Sequence, residues 1–309
     1  MSGVAAAAIS GVTFGVFQVT NRVAIAEMDV LTSTFIQLLA SAALLFVALM
    51  VHGPQDVSSL SPSAVGNFTV AGLIHFVGGW TLLNAAQKRL GAARTSPLLA
   101  TTPLFGTLLA AITLDEIPGV VPLAGVALIV AGVYITQLDF VGARRKVSMV
   151  AGAGRANGDE RPDGSPWLST LGLGAAFSWA LSPTFIRRGL EETNDPILGV
   201  TIGVVAATVA FGVVVIVAKR GRSLTASSRR ALAWKIVAGF LVGLATWSRW
   251  YAVGVAPVAV VLGLGLLTVP VVLLLAPLLA RRHLERLTRP VIVGSSFVVG
   301  GTLVLIVGG

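Results

Sequence analysis

The chain has 309 residues, 55% of them hydrophobic and only 11% charged, with a mean hydropathy of +0.89. Soluble domains carry roughly 25% charged residues, so the composition excludes an ordinary soluble fold and points to an integral membrane protein. The absence of cysteine excludes disulfides, thiolate zinc sites and cysteine nucleophiles, and the net charge of +9 lies in short gaps between apolar runs, which orients a membrane protein rather than marking a nucleic-acid face.

A bilayer-crossing helix needs about 20 apolar residues. Ten stretches qualify: 3–21, 30–51, 64–86, 92–114, 119–138, 167–186, 196–218, 233–253, 256–280 and 288–308. The first resembles a signal peptide, with Ala24-Ile25-Ala26 as a small-residue cleavage site. No Lys or Arg precedes it, however, and Thr13, Gln18 and Thr20 interrupt the run, so it reads as a retained first helix. Most gaps are short and hold turn formers, such as His52-Gly53-Pro54 and Ile117-Pro118-Gly119. Residues 139–166 are rich in Gly, Arg and Asp without helical periodicity, and read as a flexible linker between one half, 1–138, and another, 167–309.

The two spans that organise the rest are the fourth and the ninth, each interrupted by a proline: Thr102-Pro103 in one, Thr268-Val269-Pro270 in the other. A mid-span proline removes a backbone donor and frees a carbonyl that needs protein or water as partner. Paired interrupted spans in two halves are the best sequence pointer to a transporter's binding site.

The halves are copies. Phe14-Gly15 meets Trp179-Ala180 and Arg22 meets Arg187 at an offset of 165; Val70-Ala71-Gly72 meets Val237-Ala238-Gly239, Trp80 meets Trp247 and Pro103 meets Pro270 at 167; Glu116 meets Glu285, Gly125 meets Gly294 and Gly132 meets Gly301 at 169. Each copy holds five spans. An odd number sends the second copy into the membrane from the opposite side, so the expected fold is an all-α integral membrane protein of ten transmembrane helices in two inverted five-helix repeats. Of the 22 Lys and Arg, only Arg187, Arg188 and Arg249 lie on or near the N-terminal face. The excess on the other face predicts a plasma-membrane protein with both termini outside and the linker in the cytoplasm.

Matched stripes occupy the third and eighth spans. Phe76, Trp80 and Asn84 are four apart, and Gly243, Trp247 and Tyr251 take the equivalent places. An aromatic ring flanked by a hydrogen-bonding group suits a small organic substrate; the same stripe also suits helix packing or an interfacial belt. Thr95, Thr102, Gly106 and Thr113 form a stripe in the fourth span, and Gly11/Gly15 and Gly239/Gly243 have small-xxx-small spacing; both read as packing. Two ionisable groups fall inside spans, His75 and Arg249. Arg249 is a candidate for holding a carboxylate or phosphate, and His75 for relaying a coupling proton. The bland alternatives are a snorkelling arginine and a neutral hydrogen-bonded histidine. The candidate cavity is therefore Trp80, Asn84, Thr102, Pro103, Trp247, Arg249, Tyr251 and Pro270, with His75 as proton relay. None of the thirteen acidic residues lies well inside a span, which favours a neutral, zwitterionic or anionic substrate over a cation.

The duplicated five-span unit, with a proline-interrupted fourth span leading into Leu114-Asp115-Glu116-Ile117-Pro118 and then Gly125 and Gly132, resembles the EamA-like permeases of the drug/metabolite transporter superfamily. The second copy repeats it as Pro270, His283-Leu284-Glu285-Arg286-Leu287-Thr288, Gly294 and Gly301. Members commonly carry an arginine near the start of the second span, where this chain has Gln37 and, in the repeat, Gly203. The resemblance implies a secondary transporter of a small metabolite, acting by alternating access as a monomer or homodimer, without cofactor, metal or nucleic acid. It also permits a flippase for a lipid-linked molecule. A membrane-embedded enzyme would need clustered acid, base or metal ligands, and His52, His75 and His283 lie in different gaps and spans.

Overall fold

In the computed structural model the described residues are 2–52, 60–114, 119–151, 166–193, 195–218, 228–256, 258–279 and 287–308, and every regular element among them is helical. The first half contains α1 (Gly3–Ile25), α2 (Val30–His52), α3 (Pro62–Gly72), a π-helical stretch (Leu73–Trp80), α4 (Thr81–Leu90), α5 (Ala92–Leu99), α6 (Thr102–Leu114) and α7 (Val120–Ala151). After a 3-10 turn at Pro166–Leu168 follow α8 (Ser169–Thr193), α9 (Pro196–Ala218), α10 (Arg229–Val255), α11 (Val258–Gly265), α12 (Thr268–Leu279) and α13 (Arg289–Gly308). Helix α3, the π stretch and α4 run on as one rod, and α5–α6 and α11–α12 are the two interrupted spans, so ten rods correspond to the ten expected stretches. Five of them, Gly3–Ile25, Val30–Val51, Pro62–Leu90, Pro196–Ala218 and Arg229–Val255, are by themselves long and apolar enough to cross a membrane.

Several rods are longer than hydropathy suggests. The eighth begins at Arg229, the first runs to Ile25 and the third to Leu90, which adds Gln87 to the third and sets Asn21, Asn84 and Lys235 a turn or more from the helix ends. The fifth continues to Ala151, into the stretch read as linker; residues 139–151 contain no proline, and their Arg and Lys are good helix formers. The remainder of that stretch, 152–165, and the motifs around Asp115-Glu116 and His283–Arg286 lie outside the described residues.

Helix starts are set by short polar side chains. Asp29 accepts from the amide of Thr32 at 3.0 Å, and Asp195 from those of Ile197 and Leu198 at 3.1 Å. Ser61 and Ser228 each accept from the amide three residues on. These caps occupy corresponding places in the two halves, and so do their partners: Ser228 donates to Glu27, and Ser61 to Glu192.

The packing has the same reciprocity. Helix α1 lies along α10, and α8 along the α3–π–α4 rod. Contacts run in opposite senses: Gly3 meets Ala256 while Ser10 bonds the Ala245 carbonyl, and Gly189 meets Phe68 while Gly79 meets Trp179. Helix α2 packs on α9, and α7 on α13. In the last pair Gly132 faces Gly294 and Gly125 faces Gly301. A Cβ on Gly301 would come within 2.7 Å of the Gly125 carbonyl oxygen, so the glycines let two backbones touch. The small-xxx-small pairs also pack: Gly11 on the Leu264 carbonyl, Gly15 on Val271, Gly239 on Ala40 and Gly243 on Ser41. Thr95 and Thr102 instead return their hydroxyls to their own chain, and a Cβ on Gly106 would meet nothing within 4 Å. One sharp reversal, α4 to α5, turns on Gly91, whose φ of 83° suits a residue without a side chain.

Candidate functional site

The interruptions of the two broken spans meet at one cavity. Leu99, Ala100, Thr102 and Pro103 line it from the first break, and Gly265, Leu266, Thr268 and Val269 from the second. Both breaks are satisfied locally, as membrane-depth backbone requires. Pro103 cannot donate to the Leu99 carbonyl, and Thr102 Oγ1 does so at 2.7 Å. Pro270 leaves the Leu266 carbonyl, which the Val269 amide takes at 2.9 Å. Across the gap Thr268 Oγ1 donates to the Gly11 carbonyl at 2.9 Å, and the Thr302 hydroxyl is shared between the Val298 carbonyl of its own helix at 2.8 Å and that of Ala100 at 3.2 Å. Irregular backbone thus persists at a site where other helices hold it.

The remaining walls come from α1 (Ser10, Gly11, Phe14), the π stretch (His75), α5 (Ser96), α8 (Trp179) and α10 (Ala245, Thr246, Arg249). The space open to the centre of a water-sized sphere is about 70 Å³, several times the ~10–15 Å³ that one water needs on that measure. The rings of Phe14 and Trp179 meet edge to face at 5.3 Å, so residues at matching positions of the two copies touch each other. His75 stacks on Trp179 at 5.7 Å and its Nδ1 lies 3.0 Å from Ser182 Oγ, while Trp179 Nε1 donates to the His75 carbonyl at 3.2 Å. The π-helical turn carries His75, and such turns recur at functional sites. Arg249 is partly buried, and among the described residues nothing pairs with its guanidinium, which belongs to the cavity lining. The Ser96 hydroxyl also has no partner there.

Of the residues singled out from sequence, His75, Thr102, Pro103 and Arg249 come together here. The others stand elsewhere. Trp80 is fully buried against Phe76, with ring centroids 4.8 Å apart. Trp247 packs with Leu49, Ile197 and Leu198 between α2 and α9, Tyr251 packs on the main core, and Pro270 is exposed. Successive helical residues are 100° apart, so Trp247 and Arg249 point about 200° apart, and one face cannot hold both. Asn84 joins a separate polar cluster with Asn21, Gln87 and Lys235. Sequence reasoning missed Lys235, which lay just inside the trimmed eighth span, and did not promote Phe14 and Trp179 although the repeat had matched them.

Residues 1–138 match the model of the EamA-like transporter family, part of the drug/metabolite transporter superfamily, which bears out the resemblance read from the sequence. No curated protein matches the chain. The fold is similar to a solved structure described only as "Crystal structure of protein", with 18% identity, 96% of this chain and 94% of that one covered, and a TM-score of 0.61. At that identity the likeness speaks for the fold alone.

Proposed function

We propose that this membrane transporter is a secondary carrier for a small organic acid or zwitterion, in which halves 1–138 and 167–309 are inverted repeats that rock about the cavity and expose it to each face in turn. The single observation that carries the substrate reading is Arg249, a guanidinium on the cavity wall with no partner among the described residues. A carboxylate would take two parallel N–H bonds from it, the hydroxyls of Ser96 and Thr246 offer further donors, and Phe14 and Trp179 offer apolar area to the rest of the molecule. His75, on the same wall and beside Ser182, is placed to pass a coupling proton. Support for the inverted arrangement comes from the reciprocal pairings, the antiparallel contacts and the matched Ser–Glu bonds. The Lys/Arg bias supports a plasma-membrane protein with outside termini and a cytoplasmic linker.

The test is counterflow in reconstituted vesicles with matched sets of carboxylates, their amides, amino acids and amines. Acids and zwitterions are expected to exchange; equal flux of amides or amines would overturn the substrate reading. Arg249→Gln should lower acid transport about 10–100-fold, the worth of one or two charged hydrogen bonds, while sparing any neutral substrate. Single cysteines at Gly158 or Asp159 should resist impermeant thiol reagents in intact cells, and ready labelling would reverse the orientation.

A further inference from the structure

Lys235 is fully buried on α10, close to one end of the bundle. Its ammonium has three bonding partners, all amide oxygens: Asn21 Oδ1, Gln37 Oε1 at 2.6 Å and Asn84 Oδ1 at 3.4 Å. All three oxygens belong to the first half, from α1, α2 and α4, whereas the lysine belongs to the second. Among the described residues no carboxylate bonds to it. An uncompensated charge at that depth costs several kcal/mol, so the cluster needs a reason.

The bonding pattern identifies the ion for which the cluster is built. An ammonium has three donors and no acceptor, and here it meets three acceptors. A donor-only centre also fixes the orientation of each amide around it. Asn21 turns its oxygen to Lys235 and its nitrogen to Asn84 Oδ1 at 2.8 Å and Gln87 Oε1 at 2.7 Å. Gln87 passes its nitrogen to Gln18 Oε1 at 3.2 Å, and Asn84 its nitrogen to Thr34 Oγ1 at 2.9 Å. Asn84 Nδ2 also lies 3.3 Å from Gln37 Oε1, so the amides bond to one another as well as outward, and the chain ends at Gln18 Nε2 and Gln37 Nε2, both buried without partner among the described residues. Two stranded donors are what remains when an amide network is polarised around a cation.

The position is also telling. Lys235 corresponds to Phe68 at the 167-residue offset. Phe68 is fully buried at the other end of the α3–π–α4 rod, in a niche walled by Gly189, Gly199, Gly203 and Trp250. Asn84 and Phe68 are about 24 Å apart along that rod at 1.5 Å per residue, and the cavity residue His75 lies between them. Each end is therefore closed by one side chain that reaches from an equivalent helix into the opposite half, apolar at one end and cationic at the other.

We propose that Asn21, Gln37 and Asn84 form a primary-ammonium site on the first half, which the Lys235 side chain fills to latch the halves together at that end. The occupant is a tethered cation, so a free alkylammonium ion should replace it when the tether is removed.

The experiment is hydrogen–deuterium exchange of the full-length protein in nanodiscs, a readout independent of any transported substrate. Lys235→Ala should speed exchange in residues 18–25 and 232–239 by roughly tenfold or more, and leave 186–203 at the Phe68 end unchanged. Millimolar n-butylammonium should restore slow exchange, and n-butanol, which supplies the same chain without charge, should not. Equal protection by butanol, or no rescue by the amine, overturns the proposal. Lys235→Met keeps the bulk and loses the charge; it should exchange as fast as the alanine variant, and wild-type protection would overturn the proposal. Should the lysine variants not fold, Asn84→Asp supplies a counter-charge and should slow exchange at that end, unchanged exchange again overturning it. Failure here leaves the transport reading intact, and failure of the transport reading leaves this site intact.

Discussion

Lys235 and Phe68 solve one packing problem in two ways. Both project from the start of equivalent helices into the opposite half, yet their surroundings differ as their chemistry demands. Around Phe68 the neighbouring helices are pared to Gly189, Gly199 and Gly203, and a Cβ at Gly199 would lie within 2.6 Å of the ring. Where the ring end has Gly203, the ammonium end has Gln37, which supplies an oxygen instead of room. An apolar plug needs space and gains from close packing. A charged plug needs partners, and most of the cost of moving it lies in leaving those partners unpaired. The Phe68 end should therefore respond to changes in volume, and the Lys235 end to changes in charge at constant volume.

That contrast can be broken at graded cost. Phe68→Ala should be the most damaging, about 3–5 kcal/mol from lost burial and an unfilled niche, seen as a large fall in thermal unfolding temperature; a fall of only a degree or two would mean the ring does not close that end. Gly203→Leu adds bulk against the Phe68 carbonyl and Trp250, and should cost about 1–3 kcal/mol. Faster exchange at 196–204 should accompany it without change at 18–25, and spread to the Lys235 end would show the two plugs to be one unit. Thr302→Val removes the hydroxyl shared between the Ala100 and Val298 carbonyls and should cost about 0.6 kcal/mol; an unchanged melting curve would mean the hydroxyl stays on Val298 and does not brace the break. Gly66→Ala, where a Cβ meets nothing within 4 Å, should leave both ends untouched and stabilise α3 by about 0.5–1 kcal/mol.

Much of this was legible in the chain, and the exceptions have a common cause. Membrane character and the two proline breaks depend on composition and order, which need no partner to be read, and the proposed duplication rests on order alone. The structure puts those breaks at one cavity lined also by Arg249 and His75. The aromatic stripe went astray because a helix shows the same period toward any neighbour: Trp80 and Trp247 do lie on regular faces, but those faces meet other helices rather than the cavity.

Sequence by itself carried the membrane character of the chain and the places where its helices break, and suggested that it is built twice. Only the folded chain could place Lys235, Asn21, Gln37 and Asn84 inside it. A hydropathy window leaves all four within its spans, some of them at or near an edge, but it judges each residue alone and cannot say that they meet. Their burial is tolerated because of partners 151 to 214 residues away, and that information exists only once the helices have packed.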